Sequence, residues 1–349
     1  MKNDLIKFLA SSNWLVNTAI GLSTKSHRIL SYHLVSEKVP KYYYKDSAIS
    51  PGMFKTQMKW LISHGYKYMP LDITFKSIES GENLLKTFSI TTDDGFSENY
   101  SYLADILHDL NLGCTMFLIN NCIDNRDLMW NNKVCYIQNM ISREKEIQII
   151  KEISLKYNLA SNHNNLKNFS ELWNMNIKDE IANECWKRAE IGSLQEFLIS
   201  NKPYLSSIQI KEMLNAGFSI GSHSYSHPNF SKLEEDELQK ELIFSKIDLE
   251  DRFNQEIMFF AYPYGVRPNK EIEEKYKNKS GFKLLFGIKN NLSNYSKSFL
   301  WERDKMEFNN LNKSIFWFSY IPLLRKWILK PLGLYKKRYI IYKLLSLSG

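Results

Sequence analysis

Cysteine is scarce in this chain. There are four among 349 residues, Cys114, Cys122, Cys135 and Cys185, with no Cys-x-x-Cys pair, which excludes a disulfide scaffold and leaves free thiols as the expectation. Long hydrophobic runs are absent as well. No stretch reaches the about 18 consecutive apolar residues of a spanning helix. The apolar residues of the first 31 positions are broken by Lys7, Asn13, Asn17 and Lys25, without the continuous core of a secretory signal. The expected location is therefore the cytoplasm. No Arg-rich run, zinc-finger spacing or RNA-binding aromatic signature accompanies the net charge of +8, which scattered lysines carry, so nucleic acid is not the expected partner. Histidine is rare too, with seven in all and none after His227.

What is present is a core and a rhythm. Apolar residues make up 44% of the chain, enough for one large α/β domain. The run from Arg28 to Val35 has β character, with His33 near its end, and residues 51–65 show helical spacing between a Ser-Pro start and a Gly end. A strand over 87–92, a helix over 100–110 and a strand over 114–119 follow. The alternation stops from about 120 to 205, where a polar, Lys- and Glu-rich stretch carrying Trp130, Trp173 and Trp186 reads as a mainly helical insertion. It resumes with a helix at 206–216, a strand at 218–221, a helix at 234–253, a strand at 257–261 and a helix-strand pair over 269–288. Strand and helix taking turns predict a parallel α/β fold, here one interrupted barrel. The expected parts are an N-terminal segment 1–27, a barrel 28–305 and a basic aromatic C-terminal segment 306–349.

Three clusters carry chemistry. Asp93 and Asp94 follow a β-branched run and precede Gly95, so both carboxylates fall where a strand becomes a loop, the ligand-binding edge of a parallel sheet. Two adjacent anions repel unless a cation neutralises them. A solvated Asp-Asp-Gly turn is the plain alternative. His223 and His227 stand four apart after another short apolar strand, a spacing that puts two imidazoles on one side of a turn, as a catalytic metal needs, and also suits a surface or capping pair. The third cluster, Phe259 to Gly265, ends in Pro263-Tyr264-Gly265, a turn able to present a backbone N–H and Tyr264 to a developing oxyanion.

Taken together and in this order, the clusters resemble the polysaccharide deacetylase family, the NodB-like carbohydrate esterases of family four. The family's Thr-Phe-Asp-Asp-Gly is similar to Thr91-Thr92-Asp93-Asp94-Gly95, its His-Ser/Thr-x-x-His to His223-Ser224-Tyr225-Ser226-His227, and its Pro-Tyr-Gly to residues 263–265. The resemblance extends to Leu30-Ser31-Tyr32-His33 and to the 54–71 segment with His64-Gly65-Tyr66, and covers roughly 28–119 and 205–305. It implies a distorted (β/α) barrel in which Asp94, His223 and His227 bind a divalent metal, usually Zn2+, and Asp93 is the general base. Two departures stand out. The family often has an Arg two residues before the Pro of its third motif, where this chain has Ala261; Arg303, from a later strand end, is the candidate replacement, with a surface role as the alternative. The family's late general-acid His is missing. In members that serve biofilm polysaccharides an N-terminal Tyr-His supplies this acid, and His33 matches it.

The expected function is hydrolysis of N-acetyl groups on amino sugars of a polysaccharide or glycolipid, with a catalytically inactive carbohydrate-binding protein of the same fold as the alternative. A two-metal phosphoesterase would need more Asp, Asn and His ligands than these motifs supply. The substrate is expected to be an N-acetylated glycan or a lipid-linked sugar. The C-terminal series Arg325, Lys326, Trp327, Lys330, Lys336, Lys337, Arg338 and Tyr339 suits peripheral contact with an anionic inner membrane face, or a helix that covers the barrel with a solvated basic side.

Overall fold

The structure is a computed structural model, and it describes residues 2–23, 27–44, 48–160, 162–288, 300–324 and 327. Among the described residues there are ten strands: β1 (Arg28–Tyr32), β2 (Leu34–Val35), β3 (Ala48–Ile49), β4 (Lys67–Tyr68), β5 (Thr87–Thr92), β6 (Thr115–Leu118), β7 (Ser219–Ser222), β8 (Phe259–Ala261), β9 (Leu284–Ile288) and β10 (Leu300–Lys305). Seven of them close into a parallel barrel in the order β1-β10-β9-β8-β7-β6-β5, with β5 returning to β1. β4 lies against the start of β5, on the edge that β6 takes at its end. β2 and β3 form a separate parallel pair at the mouth.

Side-chain alternation sorts the strands into two faces. Ile29, Phe117, Phe259, Ala261, Leu284, Phe286 and Trp301 form one buried cluster that fills the barrel, closed at one end by Leu71 and Phe75. Their neighbours Leu30, Phe88, Ile90, Met116, Leu118, Phe260 and Leu285 belong to the cluster between barrel and surrounding helices. The two-residue period of a strand produces this division. It also carries the inward face forward to the residues that end each strand: Thr91 leads to Asp93, Gly221 to His223 and Trp301 to Arg303. Gly221 has to be glycine, because a Cβ there would lie 2.5 Å from the Phe117 ring.

The outer helices start as their sequences predict. Ser50 caps the helix Pro51–Ser63 by accepting from Met53 N–H, and Ser206 with Gln209 makes a capping box on Ser207–Asn215. Among its described residues the 120–205 stretch contains five α-helices, Trp130–Met140, Arg143–Tyr157, Leu166–Phe169, Lys178–Ala189 and Leu194–Asn201. They pack around a core of their own, which Leu34, Tyr42, Tyr43, Ala48 and Phe96 of the barrel mouth share. The insertion therefore sits on the rim of the barrel mouth and not on an outer flank. Residues 1–27 contribute two helices, Lys2–Ser11 and Asn13–Ser23. Of the 306–349 segment, the helix Leu311–Ser319 packs Ile315 and Phe318 into the main core. The basic series beyond it lies outside the described residues except for Trp327, which is exposed.

Candidate metal centre and active site

The chain leaves β5 through two left-handed residues in succession, Asp94 at φ +70° and Gly95 at φ +74°. That reversal is what lets neighbouring carboxylates share one mouth, and a Cβ on Gly95 would meet Leu118 at 2.8 Å. Asp93 N–H donates to Tyr32 O at 2.9 Å, anchoring the turn to β1. Asp93 is fully buried and Asp94 4% exposed. The two are held by different partners. Arg303, itself fully buried, donates from Nη1 to Asp93 Oδ1 at 2.6 Å and from Nη2 to Oδ2 at 2.8 Å, and from Nη1 to Thr91 Oγ1 at 3.1 Å. Such a two-point pair fixes the carboxylate in plane and in charge. Burial alone would raise the Asp93 pKa, but Arg303, His223 and His33 hold it below the ordinary carboxylate value. The surface alternative for Arg303 is excluded.

Asp94 faces the histidines. Its Oδ1 lies 3.5 Å from His223 Nε2 and 3.4 Å from His227 Nε2 and has no hydrogen-bond partner among the described residues. His223 Nδ1 is 2.7 Å from Ala261 O; a carbonyl only accepts, so Nδ1 carries the hydrogen and Nε2 presents a lone pair to Asp94. Burial pushes the His223 pKa down to about 4, which keeps the ring neutral. A buried carboxylate oxygen set against the His223 lone pair, with His227 Nε2 beside it, leaves a place that suits a cation. One carboxylate and two imidazoles with ligand atoms within 4.8 Å of one another fit a divalent metal. Ala261, conspicuous in the sequence for not being Arg, serves through its backbone as the partner that orients His223.

The loop between the histidines is tightly tied. Ser224 and His227 take φ +73° and +56°, conformations that need support from their surroundings. His227 N–H donates to Ser224 Oγ at 2.9 Å. Glu241 accepts from Ser226 N–H at 2.9 Å and from Ser226 Oγ–H at 2.6 Å. Two further ties come from the insertion: Lys178 Nζ donates to Ser226 Oγ at 2.7 Å, and Trp130 Nε1 donates to His227 O at 2.9 Å. Lys178 is only 2% exposed.

His33 stands across the mouth, its Nε2 3.7 Å from Asp93 Oδ2. Glu307 receives both His33 N–H, at 2.5 Å, and Nδ1–H, at 2.8 Å. Burial works to lower the His33 pKa, but the Glu307 carboxylate and its hydrogen bond, with Asp94 and Asp93, outweigh it and hold the value up at about 9. These carboxylates favour the imidazolium form of the ring. Pro263-Tyr264-Gly265 turns beside the histidines with Tyr264 at φ +57°; its ring centroid is 4.6 Å from that of His227, and its hydroxyl accepts from Asn131 Nδ2 at 3.1 Å.

The sequence reading missed Glu307, Glu241, Lys178 and Trp130. Glu307 carried a faint signal, an acidic residue just past the strand that supplies Arg303. The other three carried none, since each acts across 15 to 97 positions on a loop whose location the chain alone does not give.

The family described as Polysaccharide deacetylase matches residues 81–284. YxkH of Bacillus subtilis (strain 168), provisionally named a polysaccharide deacetylase, is 22% identical over 261 residues, covering 73% of this chain. The chain spans 62% of that relative's length. Among solved structures, IcaB from Ammonifex degensii superposes with a TM-score of 0.56 at 15% identity, covering 84% of this chain and 97% of the other. The Streptococcus pyogenes deacetylase PplD, solved with acetate, gives 0.56 at 17%, covering 85% and 99%. At these identities the structures speak for the fold. His33, Arg303 and Glu307 lie outside the matched span, on β1 and β10 or just beyond them.

Proposed function

The chain belongs to the polysaccharide deacetylase family, and from that premise we propose that it is a metal-dependent hydrolase removing N-acetyl groups from amino sugars of a polysaccharide or glycolipid. The observation that carries the reading is the division of labour between adjacent carboxylates: Asp93 paired at two points with Arg303, Asp94 turned to two histidines. A divalent cation held by Asp94, His223 and His227, zinc on the chemistry of that donor set, would acidify a bound water and polarise the acetamide carbonyl.

The chain's own residues do the rest. Asp93, kept ionised and in plane by Arg303, takes a proton from the attacking water. The backbone N–H at Tyr264, in the turn that Pro263 sets, stabilises the tetrahedral oxyanion. As the carbon–nitrogen bond breaks, His33 gives its proton to the leaving nitrogen, and Glu307 holds the ring in the charged form and the required orientation. Collapse gives acetic acid, which loses its proton to solvent as acetate, and a free amino sugar; Asp93 passes its proton to His33, which restores the resting state.

Acetate release from N-acetylglucosamine oligomers by the zinc-loaded protein tests the reading. No acetate with metal demonstrably bound would leave the inactive carbohydrate-binding alternative for those substrates. We further infer a cytoplasmic enzyme resting on the inner membrane face and meeting a lipid-linked sugar there. Residues 325–349 support this with seven Lys and Arg and no acidic residue. Among the described residues no helix is long and apolar enough to cross a membrane. Flotation on anionic vesicles, with the full chain against one ending at residue 324, decides it; equal soluble fractions end the membrane proposal.

A further inference from the structure

Beside the histidines the insertion and the barrel loops line an open pocket of about 340 Å3. That is within the range of roughly 300–1,000 Å3 over which small-molecule sites occur. Most of its wall belongs to the insertion, and it shares Tyr264 with the active site. Trp130, also in the wall, is bonded to His227 O. A group seated in the pocket is therefore beside the histidine loop, through the shared Tyr264 and Trp130.

The lining specifies the occupant's chemistry. Tyr44, Trp130 and Tyr264 offer apolar ring surface for the C–H face of a pyranose. Asn131 spends its Nδ2 on the Tyr264 hydroxyl, and its Oδ1 is buried with no partner among the described residues, an acceptor that a sugar hydroxyl would satisfy. Two ammonium groups stand at the rim. Lys167 Nζ lies 4.3 Å over the Tyr44 ring, and Lys232 Nζ donates to the main-chain oxygen of Glu171. Against these stands the single Glu171 carboxylate, so the rim is net positive.

We propose that this pocket binds the sugar next to the N-acetylated one, and that this neighbour is an acidic pyranose, its hydroxyl on Asn131 Oδ1 and its carboxylate at Lys167 and Lys232. The substrate class is thus a glycan in which an N-acetylated amino sugar adjoins an acidic residue. The identification of the neighbour rests on the deacetylase reading; the binding of an acidic sugar does not.

The test is calorimetric titration of the metal-free full chain, at low ionic strength, with a hyaluronan tetrasaccharide, which alternates N-acetylglucosamine with glucuronate, and with neutral chitotetraose. The expected result is at least tenfold tighter binding of the hyaluronan fragment. Lys167→Ala with Lys232→Ala should abolish the preference. Asn131→Asp, which keeps the shape but adds a negative charge, should weaken the acidic oligomer about tenfold or more and the neutral one far less, with melting temperature unchanged. Equal affinities for the two oligomers, or a preference that survives both variants, would overturn the proposal. Absence of acetate from either oligomer after zinc loading, with the binding preference intact, would count against the deacetylase reading alone.

Discussion

The barrel mouth and the insertion meet over the same three metal-ligand candidates, yet they reach them by different means. The barrel places side chains by register: parallel strands in a closed ring bring Tyr32, Thr92, Ser222 and Ala261 to one end, and whatever follows them enters the mouth. The insertion places nothing by register. Its five α-helices pack around a core of their own and reach the site through Lys178 Nζ and Trp130 Nε1 on the histidine loop and Asn131 Nδ2 on the Tyr264 hydroxyl, and none of these three acts on the metal position. Reactive groups thus come from the repeated architecture, while the insertion adjusts the loop and walls the neighbouring pocket. Removing a barrel residue should abolish a chemical step, and removing an insertion contact should only retune one.

The largest effects test the barrel half. Asp94→Ala or His223→Ala should eliminate stoichiometric zinc by elemental analysis, while Asp93→Asn retains it and loses turnover by about 1,000-fold, the scale of a positioned general base. Equal metal content in all three would dissolve the division between the carboxylates. His33→Ala comes next, with kcat reduced about 100-fold and zinc content unchanged; unaltered turnover would remove His33 from the chemistry.

Lys178→Met tests the insertion half. It removes a buried donor from Ser226, a loss of about 1–2 kcal/mol, and should weaken zinc binding about tenfold in a competitive chelator titration with the barrel still folded. An effect as large as that of His223→Ala would erase the contrast between the regions. Glu307→Gln should produce the smallest change, a displacement of a pH profile. Glu307, with smaller contributions from Asp94 and Asp93, holds the His33 pKa up at about 9, above the ordinary value, so the imidazolium and the stability it adds are fully present below about 6.5 and are lost as pH rises toward 9. Without that carboxylate the alkaline limb of kcat should move to lower pH. An unmoved limb would mean that another group governs it.

Much of the site was legible because its pieces are local. Asp93-Asp94-Gly95 after a β-branched run, two histidines four apart, and Pro263-Tyr264-Gly265 each need only a strand end and a few residues. Arg303 could be located to a strand end, but its choice between solvent and barrel interior depended on sharing the face of Trp301, which register and closure decide. Glu307 was hidden for a similar reason. It meets His33 across 274 positions, and Arg303 meets Asp93 across 210, through the closure that sets β10 against β1 and β1 against β5.

The sequence by itself determined which donors exist and how they are spaced: two carboxylates before a glycine, two imidazoles in one turn, a strand-helix rhythm with one interruption. These follow from backbone preferences and hydrogen-bonding capacity that act over a few residues. Only the tertiary structure decided which carboxylate faces the histidines, which cation holds the other, what keeps His33 charged, and that the interruption folds over the mouth. A closed ring makes neighbours of strands irrespective of their separation along the chain, and burial then gives each charge the partner that closure has brought to it.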